Sequence, residues 1–227
     1  TDVATVTGKN SQWNNSSYLY VGYEGNGTLN VMDGGVVSNT LAGSIGRMPS
    51  STGEATVTGT GSQWNNSANL SVGHYGSGTL NVEAGGVVSN TSGYIGHSSG
   101  STGVATVTGS GSQWNNSGDL TIRNSSTLNV QDGATVSNSG DLYIDGVFNS
   151  NGNGTVSTLG DLYMTEENNV ITLNLSNGVQ VLNSGNIFIN NDDHAVVNID
   201  GNGTVSAVGD LYMVHDTDEP VTLNISN

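Results

Sequence analysis

The sequence predicts an all-β chain: a right-handed parallel β-helix (solenoid) with three short strands per coil and about nine coils. Three observations carry this. First, the stretch Ala55–Gly103 is a unit: copies open at Ala4 and Ala105, and SQWNNS recurs with its Trp at 13, 64 and 114. Self-similarity at a fixed period marks repeat architectures, in which each unit packs on its neighbours. Second, each Trp interval holds two similar coils, giving the column Trp13, Val37, Trp64, Val88, Trp114, Val136, Val156, Val181 and Val205, with steps of 24, 27, 24, 26, 22, 20, 25 and 24 residues. Third, each coil holds short alternating segments bounded by Gly, Asn, Asp and Ser, such as 29–31, 36–38 and 43–45. Such alternation reads as strand–turn–strand. No segment shows a helical period, and glycine is too frequent for helix interiors. The preferred hand of parallel crossovers favours a right-handed coil.

The chain is read as a single β-helical piece over 1–227, with regular two-coil repeats at 4–146 and divergent coils at 147–227. In the divergent part GNGTVSTLGDLYM at 152–164 returns as GNGTVSAVGDLYM at 201–213. It begins and ends inside repeats, which suggests a fragment of a longer protein. The 27- and 26-residue steps place protruding turns at 46–54 and 96–104.

Composition narrows the function. Only 33% of residues are hydrophobic and 10% charged, yet the apolar ones are regularly spaced, which argues for order. Three basic against nineteen acidic residues give a net charge of −16. That deficit opposes binding to nucleic acid, sulfated glycans or anionic membranes, all of which need Lys/Arg clusters. No cysteine is present, so no disulfide framework or thiolate zinc site exists. No run of eighteen apolar residues is present, and direct membrane insertion is not expected.

Inward columns come first. Asn15, Asn39, Asn66, Asn90, Asn116, Asn138, Thr158, Asn183 and Ala207 stand two residues after the Trp/Val column. Equal parity puts them inside, where stacked amides satisfy one another as an asparagine ladder. The three Trp share a column with Val and are expected to fill the core rather than serve as sugar platforms.

The third segment carries Tyr20, Ser44, Ser71, Tyr94, Thr121, Tyr143, Tyr163, Phe188 and Tyr212, alternating with an apolar column from Val21 to Met213. If the latter faces in, Tyr143, Tyr163, Phe188 and Tyr212 form an exposed aromatic stripe, suited to a sugar or a partner surface. Stacking of the rings that protects strands in the sheet face is the equal alternative. Just upstream stand Asp119, Asp141, Asp161, Asn186 and Asp210. They read as turn carboxylates accepting backbone N–H bonds. A calcium site here, at Asp192–Asp193 or at Asp216–Glu219, is the lesser alternative, and no other cofactor is expected.

No enzyme is predicted. The cations Lys9, Arg47 and Arg123 lie on different coils. His74 and His97 occupy corresponding loops and read as surface decoration, with His194 and His215 apart. No nucleophile–base set can be assembled from spacing, so no catalytic residues are assigned.

The pattern TVTGxxSQWNNS, then xVG, then GxGTLNVxxGGxVSN and xxxIG, resembles passenger-domain repeats of type V autotransporters, particularly AIDA-type adhesins and antigen 43-like self-associating proteins. The resemblance covers most of 4–146 and is looser over 147–227. It implies a right-handed β-helix on the bacterial cell surface, exported through the outer membrane of a Gram-negative cell, with roles in adhesion, autoaggregation and biofilm formation. The serine motif of the protease branch is missing. The leading expectation is therefore a non-enzymatic, extracellular adhesin fragment whose partner is itself on a neighbouring cell. Its expected self-association face comprises Thr5, Thr7, Asn30, Thr56, Thr58, Asn81, Thr106, Thr108 and Asn129. The alternatives are a host glycan or extracellular-matrix protein bound through the aromatic stripe, and a passive stalk.

Overall fold

A computed structural model describes residues 2–164, 170–190, 194–214 and 221–226. Every regular element among them is a β-strand, and every strand pairing is parallel. Nine strands, from Gln12–Asn15 through Gln63–Asn66 and Gln113–Asn116 to Thr204–Ala207, form one sheet. The other seventeen form a second sheet in which long strands such as Asn26–Met32 and short ones such as Gly43–Ile45 alternate along the chain. The molecule is a parallel β-solenoid.

The number of coils needs correcting. Nine strands in one sheet are separated by eight steps, so the chain makes about eight turns rather than nine. Stacked at the usual strand spacing, those steps span roughly 38 Å. The strands are grouped in two sheets, the long and short segments being joined in one of them. The reason lies in the shortened coils: after Trp114 the step falls to 22 and then 20 residues. No turn fits there, so the long and short segments fuse in Leu120–Gln131 and Leu142–Asn151, with a register shift between Arg123 and Thr127. Where the turns do exist they are shorter than expected. Thr52–Thr58 and Thr102–Thr108 are already strands, leaving 46–51 and 96–101 outside.

The interior follows the sequence columns. Trp64, Trp114 and the intervening Val37, Val88 and Val136 are fully buried, and Trp13 on the first turn is 37% exposed. Full burial of an indole requires a partner for its N–H. Trp64 Nε1 donates to Asn39 Oδ1 at 3.0 Å, and Trp114 Nε1 to Asn90 Oδ1 at 2.7 Å. The ladder then runs Asn90 Nδ2 to Asn116 Oδ1 at 2.6 Å, Asn116 to Asn138 at 3.0 Å and Asn138 to Thr158 Oγ1 at 3.0 Å. From Asn90 to Thr158 the Trp and Asn columns are thus one device, in which the next turn or an indole partners each buried amide, while the Asn66 and Asn183 oxygens have no partner among the described residues.

Candidate functional site

Two outer columns contain all the residues expected to self-associate. Thr5, Asn30, Thr56, Asn81, Thr106 and Asn129 are in register on successive turns, and Asn149, Asn174, Asn198 and Asn224 continue the line. Thr7, Thr58 and Thr108 stand in a second column, interleaved with Met32 and Glu83. The hydroxyls of Thr7 and Thr108 donate to Asp33 and Asp132 at 3.0 and 3.1 Å. From Asn149 onward the first column is an outer amide ladder: Asn174 donates to Asn149 at 2.8 Å, Asn198 to Asn174 at 2.7 Å and Asn224 to Asn198 at 2.8 Å. Sequence reading missed these last four Asn because they fall in the divergent coils. Their signal was the Asn one residue before the end of VFNS at 147–150, TLNL at 172–175, VVNI at 196–199 and TLNI at 222–225.

The third-segment column holds over its whole length, from Tyr20 through Ser44, Ser71, Tyr94, Thr121, Tyr143, Tyr163 and Phe188 to Tyr212. In the second half the four rings stack face on face, with centroids 5.0, 4.9 and 4.9 Å apart and planes within 8°. Both faces of Tyr163 and Phe188 are therefore covered by neighbouring rings. The stripe presents ring edges outward. The carboxylates beside it are occupied too. Asp141 N–H donates to Asp119 Oδ1 at 2.9 Å and Asp161 N–H to Asp141 Oδ1 at 2.8 Å, while Tyr143 and Tyr163 hydroxyls donate to Oδ2 of Asp141 and Asp161 at 3.0 and 3.1 Å. Asn186 N–H uses Asp161 Oδ1, and Tyr212 donates to Asp210 at 3.1 Å. Burial, then the hydrogen bond and charge of Asp141, raise the Tyr143 phenol to about 12. Tyr163 is raised by burial first and the Asp161 bond second, Tyr212 by its Asp210 bond. These Asp side chains act as turn acceptors that align each ring on the next. Among the described residues no group of three or more His, Asp or Glu is placed to hold a metal ion. Asp192, Asp193, His215, Asp216, Glu219 and the His194 side chain lie outside the described residues.

The first half of the same column is built differently, and here the expectation of His74 and His97 as surface decoration on corresponding loops is corrected. Gly46, Gly73 and Gly96 have φ of +67°, +74° and +74°. At Gly46 and Gly73 an added Cβ would collide with the backbone of Ser77 and Thr102. Only glycine fits such a turn. Each glycine turns the chain so that the residue after it joins a second column: Arg47 N–H donates to Gly22 O at 2.9 Å, His74 to Gly46 O at 3.1 Å and His97 to Gly73 O at 2.9 Å. His74 and His97 consequently stack, with centroids 4.5 Å apart and planes at 19°. Tyr94 meets His97 edge-on at 4.6 Å. The Arg47 guanidinium lies 5.8 Å from the Tyr20 ring and 5.4 Å from the Tyr75 ring, a cation–π arrangement. Burial first, then the Arg47 and His97 charges, lower the His74 imidazole to about 4. His97 is lowered by burial, Arg123 and Arg47 in that order. Both rings are neutral near pH 7.

Comparison with protein-family models, with curated proteins and with solved structures returns no match.

Proposed function

We propose that the chain is part of a right-handed, three-faced β-helix of the autotransporter passenger type, and that it serves as a non-enzymatic surface adhesin acting by self-association. The observation that supports this is the outer column headed by Thr5, which keeps one register over successive turns and carries short hydroxyl and amide groups, with Thr7, Thr58 and Thr108 in the column beside it. A flat polar face of this kind offers many weak, equivalent hydrogen bonds, and their repetition multiplies a small affinity per turn. Two copies on opposing bacterial cells meet antiparallel, face to face. With a net charge of −16 each, the copies repel at long range, so the contact strengthens as salt screens the repulsion.

Sedimentation velocity over a concentration series, at low and high salt, tests this. The expected result is a dimer that grows with concentration and salt and is lost in Thr56→Asp/Thr106→Asp/Asn129→Asp. A clean monomer in all conditions, or a dimer untouched by the triple substitution, overturns the reading. A parallel series with calcium and with chelator shows whether a divalent cation contributes.

A further inference from the structure

A second site stands on another face of the solenoid. Tyr20 and Tyr94 are three turns apart in one column, and the two turns between them carry only Ser44 and Ser71. Replacing two rings by two hydroxymethyl groups leaves a trough of about 410 Å³, within the range of small-molecule sites. Its ends are Tyr20 and Tyr94, its floor Ser44 and Ser71, and its flank Arg47, His74 and His97. The floor is recessed: Ser44 and Ser71 are only 4% and 5% exposed although they belong to the outward column.

The polar atoms here lack what buried polar atoms ordinarily have. Ser44 Oγ, Arg47 Nη1, His74 Nδ1 and His97 Nδ1 are buried and have no hydrogen-bond partner among the described residues. Two thirds of the unpartnered buried side-chain atoms in the described residues thus belong to residues that line this one trough. Buried polar groups are otherwise paired, and a cluster of exceptions marks a place where a ligand supplies the partners.

Charge selects the ligand. The chain carries only three basic side chains against nineteen acidic ones, and the charges of two of the three, Arg47 and Arg123, reach His97. A positive point in a strongly negative molecule disfavours a metal cation between the two imidazoles and favours an anion. The overall charge of −16 in turn disfavours a polyanion, so one carboxylate is preferred. A guanidinium takes a carboxylate through parallel N–H donors. The remaining wall is aromatic ends plus hydroxyl and imidazole groups that require both donors and acceptors. Sugar hydroxyls are both.

We propose that this trough binds a carboxylated pyranose, with Arg47 holding the carboxylate, Tyr20 and Tyr94 bounding the ring, and Ser44, Ser71, His74 and His97 meeting its hydroxyls. The site is independent of the self-association face and survives if that reading fails.

Saturation-transfer difference NMR on the whole chain, with methyl β-D-glucuronoside as probe and methyl β-D-glucoside and sodium sulfate as controls, tests the assignment. Saturation of the glucuronoside ring protons is expected, at least fivefold stronger than for the glucoside and not displaced by equimolar sulfate. Arg47→Gln and Ser71→Tyr are each expected to abolish it. Tyr already occupies the position of Ser71 on other turns, so Ser71→Tyr fills the trough within a residue set the fold accepts, and it decides the matter if Arg47→Gln is poorly folded. Equal transfer to the glucoside, displacement by sulfate, or transfer that persists in Ser71→Tyr overturns the proposal.

Discussion

The same outward column is a closed wall in one half of the molecule and an open trough in the other. From Tyr143 to Tyr212 every turn contributes a ring, and each ring covers its neighbours' faces at about 5 Å. From Tyr20 to Tyr94 two serines interrupt the line, and Arg47, His74 and His97, each three residues after the column, flank the gap. The column itself pairs turn to turn without interruption in both halves. The difference teaches that a solenoid fixes where side chains stand and leaves their chemistry to one or two positions per turn. A stack consumes its own binding surface. An interrupted stack creates one.

Breaking the closed wall should have the largest effect. Phe188 is stacked on both sides, so Phe188→Ala removes two ring contacts along with apolar burial and is expected to cost about 2–3 kcal/mol. Guanidinium unfolding monitored by circular dichroism checks this. Tyr94→Ala, whose ring has only the edge of His97 as an aromatic neighbour, is expected to cost about 1 kcal/mol. Equal losses would mean that stacking adds nothing to the second half.

The aspartates beside the wall give a smaller contrast. Asp161 accepts both the Asn186 N–H and the Tyr163 hydroxyl, so Asp161→Ala leaves two donors short and should lose about 1–2 kcal/mol. Asp161→Asn should be nearly neutral, because Asn186 already fills the equivalent place one turn on, where its Oδ1 accepts the Asp210 N–H at 2.9 Å. A cost for Asn matching that for Ala would show that charge, and not the acceptor, matters there.

Titration separates the halves by direction. His74 has a folded pKa of about 4, below the ordinary 6.5, so its contribution to stability is complete above pH 6.5 and is lost as pH falls through about 4. Tyr143, raised to about 12, contributes in full below pH 10 and loses that contribution as pH rises towards about 12. Melting temperature against pH should therefore flatten on the acid side in His74→Phe and on the alkaline side in Tyr143→Phe. A flattening on the opposite side in either variant would contradict the assigned environments.

Much of this was legible before any coordinates. Periodicity places Trp64, Asn90 and Tyr163 in their columns because a parallel stack converts equal spacing into contact. Three features were not legible. The fusion of segments at Leu120–Gln131 depends on a turn being deleted, which the step lengths show only as a smaller number. The face-to-face geometry of the ring stack depends on rotamers held by Asp141 and Asp161, and alternation alone leaves a stack and a surface open to sugars as equal readings. The trough was hidden because Arg47, His74 and His97 are separated by 27 and 23 residues and look solitary, and a positive-φ glycine before each brings them into one column.

The smallest expected change in stability is also the sharpest test of the contrast. Ser71→Tyr puts a ring next to Tyr94 in the column, as Tyr163 stands next to Tyr143. Two residues upstream of Ser71 is Asn69, where Asp141 stands relative to Tyr143, and Asn69 Oδ1 already accepts the Ser92 N–H at 3.3 Å. The local frame that supports a ring in the second half is thus present in the first. The gain of one stacked pair, about 0.5–1.5 kcal/mol, is offset by the entropy of fixing the new side chain, so the unfolding midpoint should stay nearly unchanged. A loss well beyond 1 kcal/mol would mean that the two halves are not interchangeable, and that Ser44 and Ser71 are held small by packing rather than by the space they leave.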